Sequence, residues 1–388
     1  MNFLFDARVI QDHFPGIGRY AFNLLAALPA ELRPGERLIA LHDPSTPSTR
    51  LPLRSLHEMQ RSQVSWQEWR VPLFGLKNLV GRLPHLPANS IAHFPYYVRP
   101  ATTSAPSLTT IHDVLLLVHP EVAASALARI ANRTLNALAI RASRCVIAVS
   151  HSGAKDIERF FPATRGKVVV IPEAADPAFA PRSVAEQNAT LATMDIRHPF
   201  ALYLASNKPH KNLARLVEAW AKVVGDCEMT SSEASQRSDS PVLVIAGYID
   251  PRYSHAQQQV KALGLEQHVR FAGAVSDAQA AALYSACDLF VFPSLYEGFG
   301  LTPLEAMACG APVVCSNTSA MPEVAGDAAL LFDPTSPDEI AQACLRVLGD
   351  AALRSAMRRR SLQQAATFSW QKTAQLTIDA YRSLTTGA

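Results

Sequence analysis

Glu297 and Glu305 stand eight residues apart in EGFGLTPLE, around two glycines and a Thr-Pro pair, just after the apolar run LFVFPS. Local helix rules account for Glu305: Thr302 fits an N-cap, Pro303 the first helical position, and Glu305 the acid of a capping box. They give Glu297 no task. A carboxylate followed by glycine beside a helix start, where free N–H groups carry partial positive charge, suits a hydroxyl-rich group held next to an anion.

Three further loops carry chemistry. In DHFPGIGRYAFNLL, Gly16 and Gly18 precede a helix expected from about Arg19, where glycine lets a phosphate approach the backbone. The pattern is neither GxGxxG nor a P-loop, and a tight turn explains it equally well. In TTIHDVLL, His112 follows a strand directly and could bond a hydroxyl or sense a leaving group; a histidine satisfied by backbone carbonyls is the alternative, and Asp113 could cap the next turn. In YLASNKPHKNLARLVEAW, Lys208, His210 and Lys211 precede a helix expected from about Asn212. Lysine near a helix N-terminus opposes the dipole unless an anion lies between them, which favours a bound phosphate. The combination suits a diphosphate clasped in an interdomain cleft with hydroxyls bound by acids. No D-x-D pair occurs, so no metal ligands are assigned, and a helix terminus and lysine would stabilise a leaving group instead.

These loops need a scaffold of strand ends. MNFLFDA, LIALHD, IAHFP, LTTIHD, CVIAVS and VVVIPE alternate with helical patterns in the first half, and FALYLAS, VLVIAG, VRFAG, LFVFPS, PVVCS and AALLFD in the second. That rhythm predicts α/β architecture: two doubly wound, Rossmann-like domains with parallel sheets. The expected domains are 1–178 and 195–367, with a hinge in 173–200 and a C-terminal helix over 368–386 that Ser369 caps. The polar stretch 226–240 reads as a surface insertion. Net charge +3 with pI about 8.5 falls short of a nucleic-acid binder. Six scattered cysteines without CxxC read as buried thiols of a reducing cytoplasm. The N-terminus reads as a strand rather than a signal peptide, and no apolar run is long enough to span a membrane.

EGFGLTPLE resembles the E-x7-E signature of retaining glycosyltransferases of family 4, which have the GT-B fold. YLASNKPHKNLARLVEAW resembles that family's diphosphate segment. GIGRYAFNLLAAL, TIHDVLLLVHP, VIAVSHSGAKDI and FSWQKTAQLTIDAY resemble its other landmarks in order, so the likeness covers nearly the whole chain. It implies a metal-independent hexosyltransferase without a cofactor, using a nucleotide diphosphate sugar. Front-face attack would pass through an oxocarbenium-like state, with the leaving phosphate taking the acceptor's proton. Glu297 and His112 would face the donor sugar. Phe299, Gly300, Leu301 and Thr302 would hold sugar and phosphate, Glu305 the ribose, and Lys211 the diphosphate, with Gly16 and Gly18 approaching the phosphates. Ser206, Asn207 and Lys208 join the donor site. Ser206 stands where many members carry arginine, as does His210, and Lys208 is the cation available to compensate. GIGRY is a variant associated with O-antigen and surface-polysaccharide enzymes, often mannosyl- or rhamnosyltransferases, which favours a GDP-sugar over a UDP-sugar. The C-terminal helix is implied to return to the first domain.

The acceptor is expected on the first domain and is a glycan, free or lipid-linked. Trp66, Trp69, Phe74, Lys77 and Arg82 in 65–87, and Arg129, Arg133, Arg141 and Arg144 on a helical stretch, suit the interface of an anionic membrane. Peripheral contact with its inner face follows as an expectation; a packed loop and an ordinary core helix are the plainer alternative. A non-catalytic sugar-nucleotide-binding protein of the same fold is the alternative function.

Overall fold

A computed structural model describes residues 1–13, 15–49, 51, 53–59, 64–231 and 241–385. Met1–Ala174 and the C-terminal stretch from Phe368 form one compact unit, and Ala175–Thr367 a second.

Among the described residues, the first unit holds seven strands: β1 (Asn2–Asp6), β2 (Arg37–His42), β3 (Val64–Glu68), β4 (Ser90–Phe94), β5 (Ser107–Ile111), β6 (Cys145–Ala148) and β7 (Val168–Val170). All pair in parallel, in the order β3-β2-β1-β4-β5-β6-β7. β4 and β5 are buried along their whole length, as strands covered on both faces must be. The chain steps outward from β1 to β3 and then restarts on the other side of β1 at β4, so the order reverses between β1 and β4.

β3 lies outside the expected strands. Its sequence VSWQE has one fully buried residue, Val64, and sits at the sheet edge beside β2. An edge strand half open to water needs no apolar run, so hydrophobicity does not mark it.

The second unit repeats the plan with β8 (Phe200–Leu204), β9 (Val242–Ala246), β10 (Val269–Gly273), β11 (Leu289–Phe292), β12 (Val313–Ser316) and β13 (Leu330–Phe332). Their order is β10-β9-β8-β11-β12-β13, again parallel, with the reversal between β8 and β11. Each expected strand of this half is present.

The stretch 173–200 holds the boundary between the two units, at Ala174 and Ala175. It contains the helix Val184–Thr193, started by a full capping box between Ser183 and Glu186 and anchored by buried Leu191. Residues 226–231 continue the helix Leu213–Ser231 rather than a loop; residues 232–240 of the expected insertion lie outside the described residues.

The C-terminal helix Trp370–Ser383 starts where Ser369 Oγ accepts the Lys372 N–H; residue 386 of the expected span lies outside the described residues. Trp370, Ala374, Ile378 and Tyr381, at helical spacing, enter the first unit's core. Tyr381 Oη lies 2.7 Å from Nδ1 of the fully buried His93, whose pKa burial pushes down to about 3. Arg382 reaches Glu36 at 2.7 Å. The helix is thus stitched to β4 and to the start of β2 although it is the last element of the chain.

All six cysteines are free, and burial pushes the Cys287, Cys309, Cys315 and Cys344 thiols up to about 12. Such thiols stay protonated and unreactive at neutral pH.

One glycine is dictated by packing. Gly247 follows β9 at φ +120°, and a Cβ there would lie 2.3 Å from the Ala205 carbonyl oxygen. Gly247→Ala should cost on the order of 2–4 kcal/mol in urea unfolding, since backbone strain and a backbone clash add. A change within 0.5 kcal/mol would show that the two loops part easily.

Candidate active site

In a parallel sheet the loops leaving neighbouring strands diverge where the strand order reverses, which opens a crevice at the carboxyl ends. In the second unit that place lies between β8 and β11. The loop after β8 folds as a short 3-10 turn, Pro209–Lys211, then Asn212 in the left-handed region (φ 59°), before the helix from Leu213. Asparagine tolerates that conformation, and here its side chain also ties the turn down by donating to the carbonyls of Pro293 and Pro334 at 3.0 and 2.7 Å. The His210 carbonyl accepts from the Leu295 N–H at 2.7 Å and from Ser294 Oγ at 3.1 Å. Two loops far apart in sequence are thereby fastened together.

Their fastening brings Lys211 Nζ to 2.6 Å from Glu297 Oε1, with both side chains about five-sixths buried. The lysine also lies 5.5 Å from the Phe292 ring centroid. The backbone of Glu297 is held in turn: its N–H donates to Ser319 Oγ at 3.0 Å, in the loop after β12. So the two residues singled out for phosphate and sugar meet at the switch point, each held by contacts from a different strand end.

Helix starts differ from expectation at EGFGLTPLE. The helix spans Leu301–Ala308, and its N-cap is Gly300 at φ 115°, with no side-chain cap. Thr302 is therefore already inside the first turn and Glu305 falls in the second, too far along for a capping box. Glycine takes the left-handed position without steric cost, and Pro303 lacks an N–H in a turn where donors are unpaired anyway. The N–H groups of Leu301 and Thr302 precede the first intrahelical bond, from Leu304 N–H to the Gly300 carbonyl. Phe299 is buried, and Glu305 is half-buried.

The neighbouring residues divide by what their atoms already do. Asn207 is buried, and its amide is spent on the loop after β9: Nδ2 donates to the carbonyls of Asp250 and Tyr253, and Oδ1 accepts the Asp250 N–H. The Ser206 carbonyl accepts from Tyr203 Oη at 2.8 Å. Lys208 is exposed.

In the first unit the reversal lies between β1 and β4. Gly16 and Gly18 are in the first turn of the helix Pro15–Ala27, not in a loop ahead of it, so the helix starts four residues earlier than expected. Proline at the opening position explains the early start, since its φ is preset and its missing N–H costs nothing there. Gly16 is exposed with no atom within 4 Å of a would-be Cβ, whereas Gly18 is buried against Leu51 and the Val9 carbonyl.

His112 follows β5, with Nδ1 2.9 Å from Glu173 Oε1 and Nε2 3.0 Å from the Pro95 carbonyl oxygen. Burial disfavours its charged form, but the hydrogen bond and charge of Glu173, the carbonyl of Pro95 and the charge of Asp113 outweigh that, and its pKa is raised. Asp113 Oδ1 accepts the Leu115 N–H, starting the next turn. Glu173 carries no motif; a carboxylate closing the apolar run VVVIPE, at the end of a strand, was the one available signal.

The basic aromatic segment splits. Trp69 turns inward beneath Arg8, whose guanidinium carbon is 3.7 Å from its ring and which pairs with buried Asp6 at 2.6 Å. Trp66 packs on His57 with ring centroids 4.8 Å apart. Neither is an open surface aromatic, contrary to expectation, because β3 and the Asp6–Arg8 pair draw them into the fold. Phe74, Lys77 and Arg82 do face solvent, as do Arg129, Arg133, Arg141 and Arg144. Among the described residues, no helix is long and apolar enough to cross a membrane, and no group of three or more His, Cys, Asp or Glu side chains could hold a metal ion.

Comparison with known proteins matches residues 15–179 to the family described as Glycosyltransferase Family 4, and residues 194–364 to Glycosyl transferases group 1. The O-antigen chain mannosyltransferase B of Escherichia coli is 33% identical over 279 residues, covering 72% of this chain and 70% of that protein. The serotype-specific mannosyltransferase WbdA, also of Escherichia coli, is 32% identical over 243 residues, 62% of this chain and 29% of that protein. HepE of Anabaena, solved in complex with UDP and glucose, matches in fold with a TM-score of 0.70 over 99% of this chain and 100% of that one, at 19% identity. The chain belongs to the family 4 glycosyltransferases of GT-B fold and is a glycosyltransferase.

Proposed function

We propose that the protein is a retaining, metal-independent hexosyltransferase that moves a mannose-like sugar from a nucleotide diphosphate donor to a glycan or lipid-linked glycan in surface-polysaccharide synthesis. The observation that carries this reading is the meeting of Lys211 and Glu297 at the switch point between β8 and β11. A lysine and the uncapped start of the Leu301 helix offer positive charge to a diphosphate, and the adjacent carboxylate offers acceptors to sugar hydroxyls. The mannosyltransferase names of the relatives support a mannose-like donor. The preference for GDP over UDP rests on the family resemblance of GIGRY.

In this mechanism the C1–O bond to the diphosphate breaks while the acceptor oxygen attacks C1 from the same face, and the departing phosphate oxygen takes the acceptor's proton. Glu297 stabilises the oxocarbenium-like centre, and Lys211 the negative charge that grows on the diphosphate. Glu305 takes the ribose hydroxyls.

A lipid-linked acceptor has support in the first unit. Leu76 and Val80 are 78% and 77% exposed, and Leu127 and Ile130 74% and 59%. Both groups flank the loop after β4: Ala101 N–H donates to the Leu79 carbonyl and Asn132 Nδ2 to Tyr97 Oη, each at 2.9 Å. The helix Ala126–Ala142 contains no acidic residue. Apolar side chains among arginines suit an anionic bilayer surface.

A thermal-shift screen of GDP-, UDP-, ADP- and dTDP-sugars identifies the donor, because a ligand of the folded state raises apparent stability; no shift with any of them would refute the donor class. Lys211→Ala should weaken nucleoside diphosphate binding roughly 10- to 100-fold in calorimetry, the loss of a charged hydrogen bond. Glu297→Ala should lower kcat by about 10²–10³ with much less effect on nucleotide affinity, and turnover should persist in EDTA. Equal turnover in the Glu297 variant would remove that residue from the reaction. For the membrane, Leu127→Glu with Ile130→Glu should abolish sedimentation with anionic vesicles at low salt, and unchanged binding would sink the surface assignment.

A further inference from the structure

Both nitrogens of His112 face oxygen acceptors, the Glu173 carboxylate and the Pro95 carbonyl, at 2.9 and 3.0 Å. A backbone carbonyl never donates, and an ionised carboxylate cannot. With Glu173 as the carboxylate, the doubly protonated ring satisfies both contacts, whereas a neutral ring would set a lone pair against an oxygen. Glu173 is 3% exposed, and its charge needs this partner as much as the histidine needs the charge. The remaining surroundings are fixed too. Tyr20 meets the ring edge-on, with centroids 4.6 Å apart, and is itself anchored through Thr110 at 3.1 Å. His93 beyond it is neutral, and Asp113 adds negative charge.

We propose that Glu173 is a positioning residue for the transfer reaction: it fixes His112 as an imidazolium that offers the donor a positive charge already in place and, while so protonated, cannot serve as a base for the acceptor hydroxyl. The inference deepens the reading of His112 as a donor-facing residue and rests on it. A ring with both nitrogens already donating has no lone pair to receive a proton, so the acceptor's proton must leave by another route, such as the departing phosphate. What remains available is charge, preorganised before the donor arrives.

The sign of the pH effect follows. The folded-state pKa of His112 is raised, so the charge is complete below the ordinary histidine value of about 6.5 and is lost as pH rises through the elevated value. Glu173→Gln keeps the shape but removes the negative charge, and should pull that loss to lower pH.

Two measurements on the full-length chain test the proposal separately. In ¹⁵N-histidine spectra of the ligand-free protein, with His112 assigned by comparison with His112→Gln, both ring nitrogens should be mostly protonated at pH 6.5, the ordinary histidine midpoint. A neutral ring at that pH in the unaltered protein would overturn the proposal without any reference to substrate. In GDP release from GDP-mannose, Glu173→Gln should lower kcat by about 10²-fold with KM within about threefold, and shift the alkaline limb of the pH profile to lower pH. Glu173→Asp should restore part of the rate. An unchanged pH profile in a folded Glu173→Gln protein would also overturn it, as would equal losses in the Asp and Gln variants. Imidazolium spectra combined with no turnover of GDP-mannose by the unaltered protein would instead sink the donor reading.

Discussion

Strand order is the constraint on which the rest depends. In each unit a parallel sheet is laid down outward from its first strand and then restarted on that strand's other side, so the central pair, β1 with β4 and β8 with β11, sends its loops in opposite directions. Backbone groups at those carboxyl ends lack sheet partners, and helices begin there with their positive ends. The chemistry-bearing side chains gather there because the sheet leaves no other place where loops from several strands converge.

Convergence alone would leave charged groups loose. Here each is held by a second layer of ordinary bonds: Asn212 and the His210 carbonyl bind the loop of Lys211 to the loop of Glu297, while Ser319 holds the Glu297 backbone. Lys211 and Glu297 pair with one another at 2.6 Å. Partly desolvated opposite charges stabilise one another, and either would be costly to leave alone. A diphosphate that claims the lysine would release the carboxylate toward the sugar, so one ligand can replace the pair's electrostatics with its own.

The same logic runs through His112, Glu173 and the Pro95 carbonyl, where burial and charge oppose one another and charge prevails. Hydrogen bonding extends from Tyr20 through Thr110 and His93 to Tyr381 on the C-terminal helix. The last helix of the chain therefore braces the strands that carry the site, which gives its return to the first unit a physical purpose.

Much of this was written locally in the chain. Apolar runs bounded by Gly, Pro and Asp marked nearly every strand, and the loops of Lys211 and Glu297, which the structure brings together, stood out by their residue types, because side-chain periodicity and helix-dipole conflicts are short-range properties. The failures were also physical. β3 is an edge strand with no apolar run, the cap at Gly300 depends on a backbone angle that Thr302 cannot reveal, and the glycines of GIGRY lie inside a helix because Pro15 starts it early. Glu173 and Pro95 lie 61 and 17 residues from His112 and carry no shared pattern. The sequence by itself determined the fold class, the family and the types of residue available for catalysis. Only the tertiary structure decided which of them are paired, which are spent on holding loops, and that His112 lies between the Glu173 carboxylate and the Pro95 carbonyl, because those outcomes depend on distances and burial set by strands remote from one another along the chain.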